Sequence, residues 1–372
     1  MATVSDIHLG HPRTNTFHIV ANLKAAFPDN DETGSLDIIF LAGDVFDRLL
    51  TLPQEEVEEI QSWVSYMLMI CRKYDILLRI LEGTPSHDWK QSRQFVNINN
   101  GFDKPAKLKF VETLSIETIH ELGDMTVLYV PDEWNGDAHT TWLQVNELLK
   151  LNGLSKVDVA CMHGSFDYQL PIDSVKNHNS DWYQSIVKHF ITIGHVHIRS
   201  QRGKILAQGS FDRLSHGEES PKGHYRMKIT PTGDHFTFIE NTGAKLYKTV
   251  DCRGMSLPDV FRYLDNLEDL PLKSQFRLMI SRDDTLFHDM KEIRKRYPQF
   301  KIDTHLTELK VPEEILVKEL NEKIPQPITI TPTNIAHLVE ERAMALPQAA
   351  SETFNLHHLL SMLEKHTYKE TA

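Results

Sequence analysis

The chain has 372 residues, of which 40% are hydrophobic and 25% are charged, a composition that is ordinary for a soluble globular protein of two or three domains. Its formal net charge of −12 excludes capture of nucleic acid by a globally basic surface, so any basic footprint must be local. The three cysteines are far apart and form no CxxC pair, which argues against a disulfide framework or a zinc ribbon and favours a reducing compartment.

The N-terminal sequence MATVSDIHLG has no basic stretch followed by an apolar one, so it does not resemble a signal peptide. The apolar runs stay well below the ~20 residues that a membrane-spanning helix needs. We therefore expect a cytoplasmic protein that does not associate with a membrane.

Short apolar runs alternate with helical patterns along the first half of the chain. A helical stretch at 15–27 precedes a buried strand at 36–41, and a long amphipathic helix is predicted at 54–74. Further strands are predicted at 75–82, 125–130, 157–162 and 190–193, which indicates βαβ units and a largely parallel sheet. Strand-turn-strand patterns at 107–130 and 197–240 predict a mixed sheet, or a second sheet packed on the first.

The composition changes near residue 245, and three domains are predicted, at 1–244, 245–325 and 326–372. The second begins with a small α+β unit at 249–310, and the third contains a linker at 329–333 and a helical tail. The tail carries an apolar stripe at i, i+3, i+4 and i+7, formed by Leu356, Leu359, Leu360 and Leu363. This stripe either packs on its own domain or presents a helix to a partner.

Carboxylates and imidazoles follow four of the predicted strands. In chain order they are the DIH, GDVFD, HG and GHVH segments, which contain Asp6, His8, Asp44, Asp47, His163, His195 and His197. Each segment alone has an ordinary explanation as a turn or a structural histidine. The carboxyl ends of strands in an open α/β sheet bind ligands, so the four together predict one shared metal site.

The residue types indicate which metals such a site would take. Several histidines with two or three aspartates form a mixed nitrogen and oxygen set, which suits Mn, Fe or Zn better than calcium. The candidate ligands are too many for one ion. Two ions that share Asp44 would use them well, and a pair ~3.5–4 Å apart can clamp a phosphate and activate a water.

The motifs DxH, GDxxD, a histidine after a turn, HG and GHxH resemble, in this order, those of the calcineurin-like metallophosphoesterases. Residues 209–223, GSFDRLSHGEESPKG, are similar to the segment that follows GHxH in the SbcD-like DNA-repair nucleases. The resemblance implies an α/β fold, in which a metallophosphoesterase β-sandwich flanked by helices is followed by a small α+β capping domain and a C-terminal helical tail.

The resemblance also implies roles for individual residues. Asp6, His8 and His197 would hold one metal, Asp44 would bridge, and His163 and His195 would hold the second metal. His87 would stabilise the transition state or protonate the leaving oxygen, with Asp88 orienting it. Manganese is the favoured ion, with Mg, Fe or Zn as alternatives.

The segment GTPSHD at 83–88 departs from the family pattern G-N-H-[DE]. Ser86 stands in the asparagine position and Pro85 replaces the glycine, so Ser86 is the expected but poor ligand of the second metal. Two interpretations stay open. The chain is either a working enzyme with a weakened second site, or an attenuated one that needs a partner or a substrate phosphate to complete it.

The expected function is that of a metal-dependent DNA exonuclease or endonuclease subunit, in a bacterial or phage-type setting, that acts in recombination, repair or DNA processing. The resemblance implies a homodimer that works with an SMC-type ATPase bound by the C-terminal helices. Candidate phosphate contacts, each of which also has an explanation as solvated surface charge, are Arg13, Arg48, Arg199, Arg202, Lys204 and Arg213. The alternatives are a small-substrate phosphodiesterase or phosphatase, and a non-catalytic subunit that binds DNA ends or the ATPase.

Overall fold

The computed structural model describes residues 1–51, 55–172, 174–267, 270–281 and 284–307. These residues form a mixed α/β fold of nine helices, two six-stranded mixed sheets and one three-stranded sheet. None of the helices among them is long and apolar enough to cross a membrane. The predicted linker and helical tail, with the leucine stripe at 356–363, lie outside the described residues.

The first sheet has a parallel centre and an antiparallel edge. Its parallel strands are β1 (Ala2–Val4), β2 (Ile38–Ala42), β3 (Leu77–Leu81) and β4 (Leu108–Val111). The hairpin of β11 (Gly223–Thr230) and β12 (Gly233–Glu240) pairs with β1. Three helices pack on the outer face through one apolar cluster, namely α1 (Thr16–Ala26), α3 (Glu55–Lys73) and α5 (Arg93–Asn99). Two single-turn helices, α2 (Asp31–Gly34) and α4 (Pro85–Asp88), lie in its loops.

The second sheet has four parallel strands between two antiparallel edges. In spatial order it contains β5 (Ser115–Ile119), β6 (Met125–Val130), β7 (Val157–His163), β8 (Val187–Gly194), β10 (Ile205–Ala207) and β9 (Ser200–Arg202). Its outer face packs on α6 (Ala138–Leu151) and α7 (Ser180–Ile186). A short 3₁₀ turn, His120–Leu122, joins β5 to β6.

The inner faces of the two sheets share one apolar core. Phe40 and Leu81 of the first sheet and Tyr129 and Phe190 of the second belong to the same buried cluster. Strands β2 and β3 are therefore covered on both faces, which explains their nearly unbroken apolar sequences. The prediction of a second sheet packed on the first is confirmed, and the packing brings the carboxyl ends of β1, β2, β7 and β8 to one edge.

The three-stranded sheet has a core of its own. It comprises β13 (Tyr247–Asp251), α8 (Leu257–Asp265), β14 (Gln275–Ser281), α9 (Leu286–Arg296) and β15 (Lys301–Thr307). All three strands are parallel, so the expected α+β unit is an α/β unit instead. The reason is that a helix connects each strand to the next, which returns the chain to the same end of the sheet. Tyr247 contacts the loop between β1 and α1, because its hydroxyl lies 2.8 Å from Thr14 Oγ1.

Candidate metal centre

The loops after β1 and β2 support each other at the edge where the strands end. The amide of Asp6 donates to the Gly43 carbonyl (3.1 Å), and the amide of His8 donates to the Asp44 carbonyl (3.1 Å). Asp6, His8 and Asp44 have left-handed φ angles of 49°, 55° and 50°, and His195 has φ 102°. Such conformations cost free energy in residues other than glycine and concentrate at functional sites. The backbone is therefore bent so that these side chains face one another.

Gly43 makes room for the histidine that ends β7. It has φ +84°, and a Cβ atom there would lie 2.1 Å from His163 Nδ1. Only glycine tolerates both the conformation and the close approach. The G in the GDVFD motif thus allows His163 to enter beside Asp44.

Three of the histidines turn one ring nitrogen towards a fixed acceptor. His163 Nδ1 lies 2.7 Å from the Ala42 carbonyl, His8 Nδ1 lies 3.1 Å from Asp47 Oδ1, and His197 Nδ1 lies 3.2 Å from Glu218 Oε1. A carbonyl or carboxylate oxygen can only accept, so each Nδ1 carries the hydrogen and donates it. In a neutral ring, Nε2 is then left with a lone pair, which is the arrangement found in metal-binding histidines.

The Nε2 atoms of these histidines face inward, towards one another and towards carboxylates. His8 Nε2 lies 3.1 Å from His197 Nε2, and His163 Nε2 lies 3.3 Å from Asp44 Oδ2. His163 Nε2 is buried and has no hydrogen-bond partner among the described residues. Lone pairs that face each other repel unless a proton or a cation lies between them. The donor set therefore fits divalent metal ions.

Three overlapping groups could each hold an ion. They are Asp6 with His8 and His197, His8 with Asp44 and His87, and Asp44 with His163 and His195. Within each group, the ligand atoms lie within 4.8 Å of one another. His8 and Asp44 each belong to two groups, so the groups form one continuous centre. The structure thus brings together all the predicted ligands except Ser86.

The charges of the centre shift the pKa values of its members. Burial alone would raise the pKa of Asp44, but His163, His8 and the Thr84 amide bring it well below its usual value. Burial would likewise lower the pKa of His163, but Asp44 raises it well above its usual value. The opposite shifts of Asp44 and His163 have one cause, the mutual attraction of a carboxylate and an imidazolium in a buried place.

A second pair with shifted pKa values supports His197. Burial disfavours the charged forms of both His197 and Glu218. The hydrogen bond between the two side chains nevertheless raises the pKa of His197 and lowers that of Glu218 to about 2. The buried Lys222 ammonium lies 3.0 Å from Glu218 Oε2 and donates to Ser210 Oγ (2.7 Å) and to the His197 carbonyl (2.8 Å). Residues 209–223 thus hold both parts of His197, with Lys222 on its carbonyl and Glu218 on its ring.

The position of Ser86 differs from the prediction. Pro85 begins the single-turn helix α4, which places Ser86 on the exposed side, where its carbonyl accepts from Trp89 Nε1 (2.8 Å). Thr84, directly after Gly83, supplies the hydroxyl instead. Its Oγ1 lies 3.2 Å from Asp44 Oδ2 and 3.4 Å from His195 Nδ1. The two extra residues of the helical turn explain why alignment by motif pointed to Ser86.

Asp88 also has a role other than the predicted one. Its carboxylate accepts hydrogen bonds from the backbone amides of Gly83 (2.8 Å), Asp44 (3.1 Å) and Phe46 (2.9 Å). Complete burial, followed by the charge of Asp44, raises its pKa well above the usual value. Asp88 therefore ties the GDVFD and GTPSHD loops together rather than orienting His87. It is Asp47 that lies near His87, with 4.0 Å between Asp47 Oδ1 and His87 Nδ1.

The sequence interpretation missed one further carboxylate at the centre. Asp132 follows β6, and its Oδ2 lies 2.9 Å from Thr84 Oγ1 and 3.5 Å from His195 Nδ1. The signal was present, because YVPD places an aspartate just after a strand, where the other four strand ends carry an aspartate or a histidine. Asp47 is the second aspartate of the GDVFD motif, whereas Glu218 is recognisable only from its contact with the His197 ring.

The basic candidates differ in how exposed they are. Arg13, Arg48, Arg199 and Arg202 are exposed, although Arg48 Nε also donates to the Gly10 carbonyl (2.8 Å). Lys204 and Arg213 do not fit the predicted phosphate contacts. Lys204 Nζ donates to the Gln184 carbonyl (3.4 Å) near the end of α7, and the guanidinium of Arg213, which is only 9% exposed, donates to the Ala244 carbonyl (3.0 Å). Both charges satisfy backbone carbonyls, and sequence patterns do not show such contacts.

No protein-family model matches the chain, and no curated protein sequence matches it at a significant level. The interpretation of the centre therefore depends on its motifs and its geometry.

Proposed function

We propose that the chain is a metal-dependent phosphodiesterase of the calcineurin-like metallophosphoesterase type, which acts on DNA as an SbcD-like nuclease subunit. The observation that carries the proposal is the set of inward-facing imidazole Nε2 atoms around Asp44, one of which is buried without a hydrogen-bond partner among the described residues. Two packed sheets flanked by helices also agree with the β-sandwich that the motifs imply.

The proposed cofactors are two divalent ions, with manganese favoured and Mg, Fe or Zn as alternatives. Asp6, His8 and His197 would hold one, His163 and His195 the other, and Asp44 would be shared. Thr84 and Asp132 replace Ser86 as the polar groups beside the second ion. Bound divalent ions would supply Lewis-acid chemistry, which neutralises phosphate charge and lowers the pKa of water.

His87 is the proposed general acid for the leaving 3′ oxygen. Its side chain is 37% exposed, so a substrate can reach it, and its ring centroid lies 5.1 Å from that of His8. Asp47 Oδ1 lies 4.0 Å from the buried Nδ1 atom of the ring and would help to hold the ring in place. The proposed role needs His87 to donate a proton at the edge of the centre, where the leaving oxygen departs.

DNA is the proposed substrate and Arg13, Arg48, Arg199 and Arg202 are its proposed phosphate contacts. Each is an exposed residue, and phosphate contacts of this kind position a nucleic acid without reading its sequence. The SMC-type ATPase, bound by the C-terminal helices, and a homodimer complete the proposed assembly, which would act in recombination, repair or DNA processing.

The test is manganese-dependent degradation of linear duplex DNA by the purified chain. We expect His87→Ala to lose about 10²- to 10⁴-fold in rate, the range of a general acid. Ser86→Asn should stay active because Ser86 faces outward. His120→Ala is the matched control, since His120 lies beside Asp124 at the other end of β6. No hydrolysis by the wild type, even with an SMC-type ATPase supplied, would favour the non-catalytic subunit instead.

A further inference from the structure

A cavity of about 430 Å³ opens beside the metal centre. Its walls include two tryptophans, two prolines and four acidic residues, among them Trp89, Trp134, Pro85, Pro131, Glu82 and Asp132. This volume falls in the range of small-molecule sites. Asp132 belongs to both places, because it lines the cavity and accepts from the Thr84 hydroxyl that contacts Asp44.

The two indole rings are exposed yet held in place. Trp89 is 53% exposed and Trp134 is 38% exposed. Trp89 Nε1 donates to the Ser86 carbonyl (2.8 Å), and Trp134 Nε1 donates to Gln144 Oε1 (2.7 Å). Trp89 also has a left-handed φ of 48°, a costly conformation for a bulky residue. The cavity thus has fixed aromatic faces whose polar edges are already satisfied, which suits the stacking of a planar ring.

Four acidic side chains line the cavity, which favours a planar ring that carries hydrogen-bond donors. Glu82 is 7% exposed, and its Oε1 accepts from the Lys90 amide (2.7 Å). Its Oε2 is buried and has no hydrogen-bond partner among the described residues. Glu112, Asp132 and Glu133 add further negative charge, against Lys90 as the cation of the wall. The acidic wall would repel a phosphate and attract a group that carries N–H donors.

We propose that this cavity binds an unpaired nucleobase next to the phosphate that is cleaved, with a preference for a base that carries an exocyclic amino group, which adenine, cytosine and guanine have and thymine lacks. The inference rests on the proposed function and adds that the substrate has a single-stranded or frayed nucleotide at the centre. Stacking on an aromatic side chain contributes ~1–3 kcal/mol per base, about 5- to 150-fold in affinity.

The test compares two single strands of six nucleotides, one of oligodeoxyadenylate and one abasic at every position. Both carry the same phosphate charge, so a difference between them reports contacts with the bases. Binding is measured by tryptophan fluorescence with the full chain in EDTA, which prevents metal-dependent hydrolysis. Trp134→Leu removes one stacking face, and Trp182→Leu is the matched control because Trp182 is also 38% exposed but lies on α7.

We expect the adenylate strand to bind at least fivefold more tightly than the abasic strand, and this advantage to disappear in Trp134→Leu but not in Trp182→Leu. Glu82→Gln should reduce the preference for oligodeoxyadenylate over oligothymidylate. Equal binding of the two strands by the wild type would overturn the inference even if the chain degrades DNA with manganese. A base-dependent advantage without DNA hydrolysis would support the cavity and contradict the proposed nuclease function instead.

Discussion

Substitution of Asp88 distinguishes two possible roles of this residue, an anchor of the two loops and a partner that orients His87. Its two carboxylate oxygens accept from three backbone amides, those of Gly83, Asp44 and Phe46. In Asp88→Asn only one oxygen remains, so the amide NH₂ must face at least one backbone N–H. A buried donor left without an acceptor costs ~1–3 kcal/mol. We therefore expect local opening of these loops to become about 5- to 150-fold more frequent.

Hydrogen exchange followed by mass spectrometry measures this opening in the peptides that contain the Phe46 and Gly83 amides. Exchange should accelerate equally in Asp88→Asn and in the double variant Asp88→Asn with His87→Ala, because the backbone bonds do not depend on His87. The contrary result has two parts. Exchange would be unchanged in Asp88→Asn, and Asp88→Asn would reduce hydrolysis in the wild-type background but not in the His87→Ala background. That result would refute the anchoring role and restore the predicted orientation of His87.

Three further predictions concern the metal centre. Glu218→Gln should lower the melting temperature of the metal-free protein more at pH 5.5 than at pH 9. The pKa of His197 is raised in the folded protein, so its pairing stabilises the fold fully below about pH 6.5 and is lost as the pH rises through the folded-state pKa. The pKa of Glu218 is lowered, so its contribution is present at any pH above about 4.5, which includes both pH values. Manganese binding should release protons and strengthen as the pH rises, because His163 and His197 must lose their protons first. Calorimetry in two buffers with different ionisation enthalpies measures the number of protons released. Thr84→Val and Asp132→Asn should each weaken the second manganese about 10- to 100-fold, measured by the same titration.

Each of these has a contrary outcome. An equal melting shift at both pH values would mean that Glu218 does not pair with His197 in solution. Binding heats that are the same in both buffers would contradict the protonated state of the metal-free centre. Ser86→Ala serves as the control for Thr84→Val, and an equal loss in both variants would favour the original assignment of Ser86.

The sequence allowed the sheet and the strand-end ligands to be predicted because both depend on local patterns. Strands such as β2 and β3 are apolar on both faces, so their runs of hydrophobic residues are nearly unbroken. Ligands at the ends of such strands share one edge whichever loops connect them. That rule is enough to gather Asp6 with Asp44 and His163 with His195, and the two pairs meet because one sheet packs on the other.

The errors have a different physical origin. Whether Ser86 or Thr84 faces Asp44 depends on the helical turn that Pro85 begins, and the motif alone does not fix that turn. The role of Arg213 depends on a carbonyl 31 residues further along the chain. Contacts of this kind arise from tertiary packing, so neither residue type nor spacing predicts them.

The central claim is that two metal ions share Asp44. The most direct test is to count the manganese bound per purified chain and to record its electron paramagnetic resonance spectrum. We predict two ions per chain with exchange-coupled spectra, and loss of the coupling in Asp44→Asn. No bound manganese, or two ions whose spectra are uncoupled in the wild type, would contradict the shared centre.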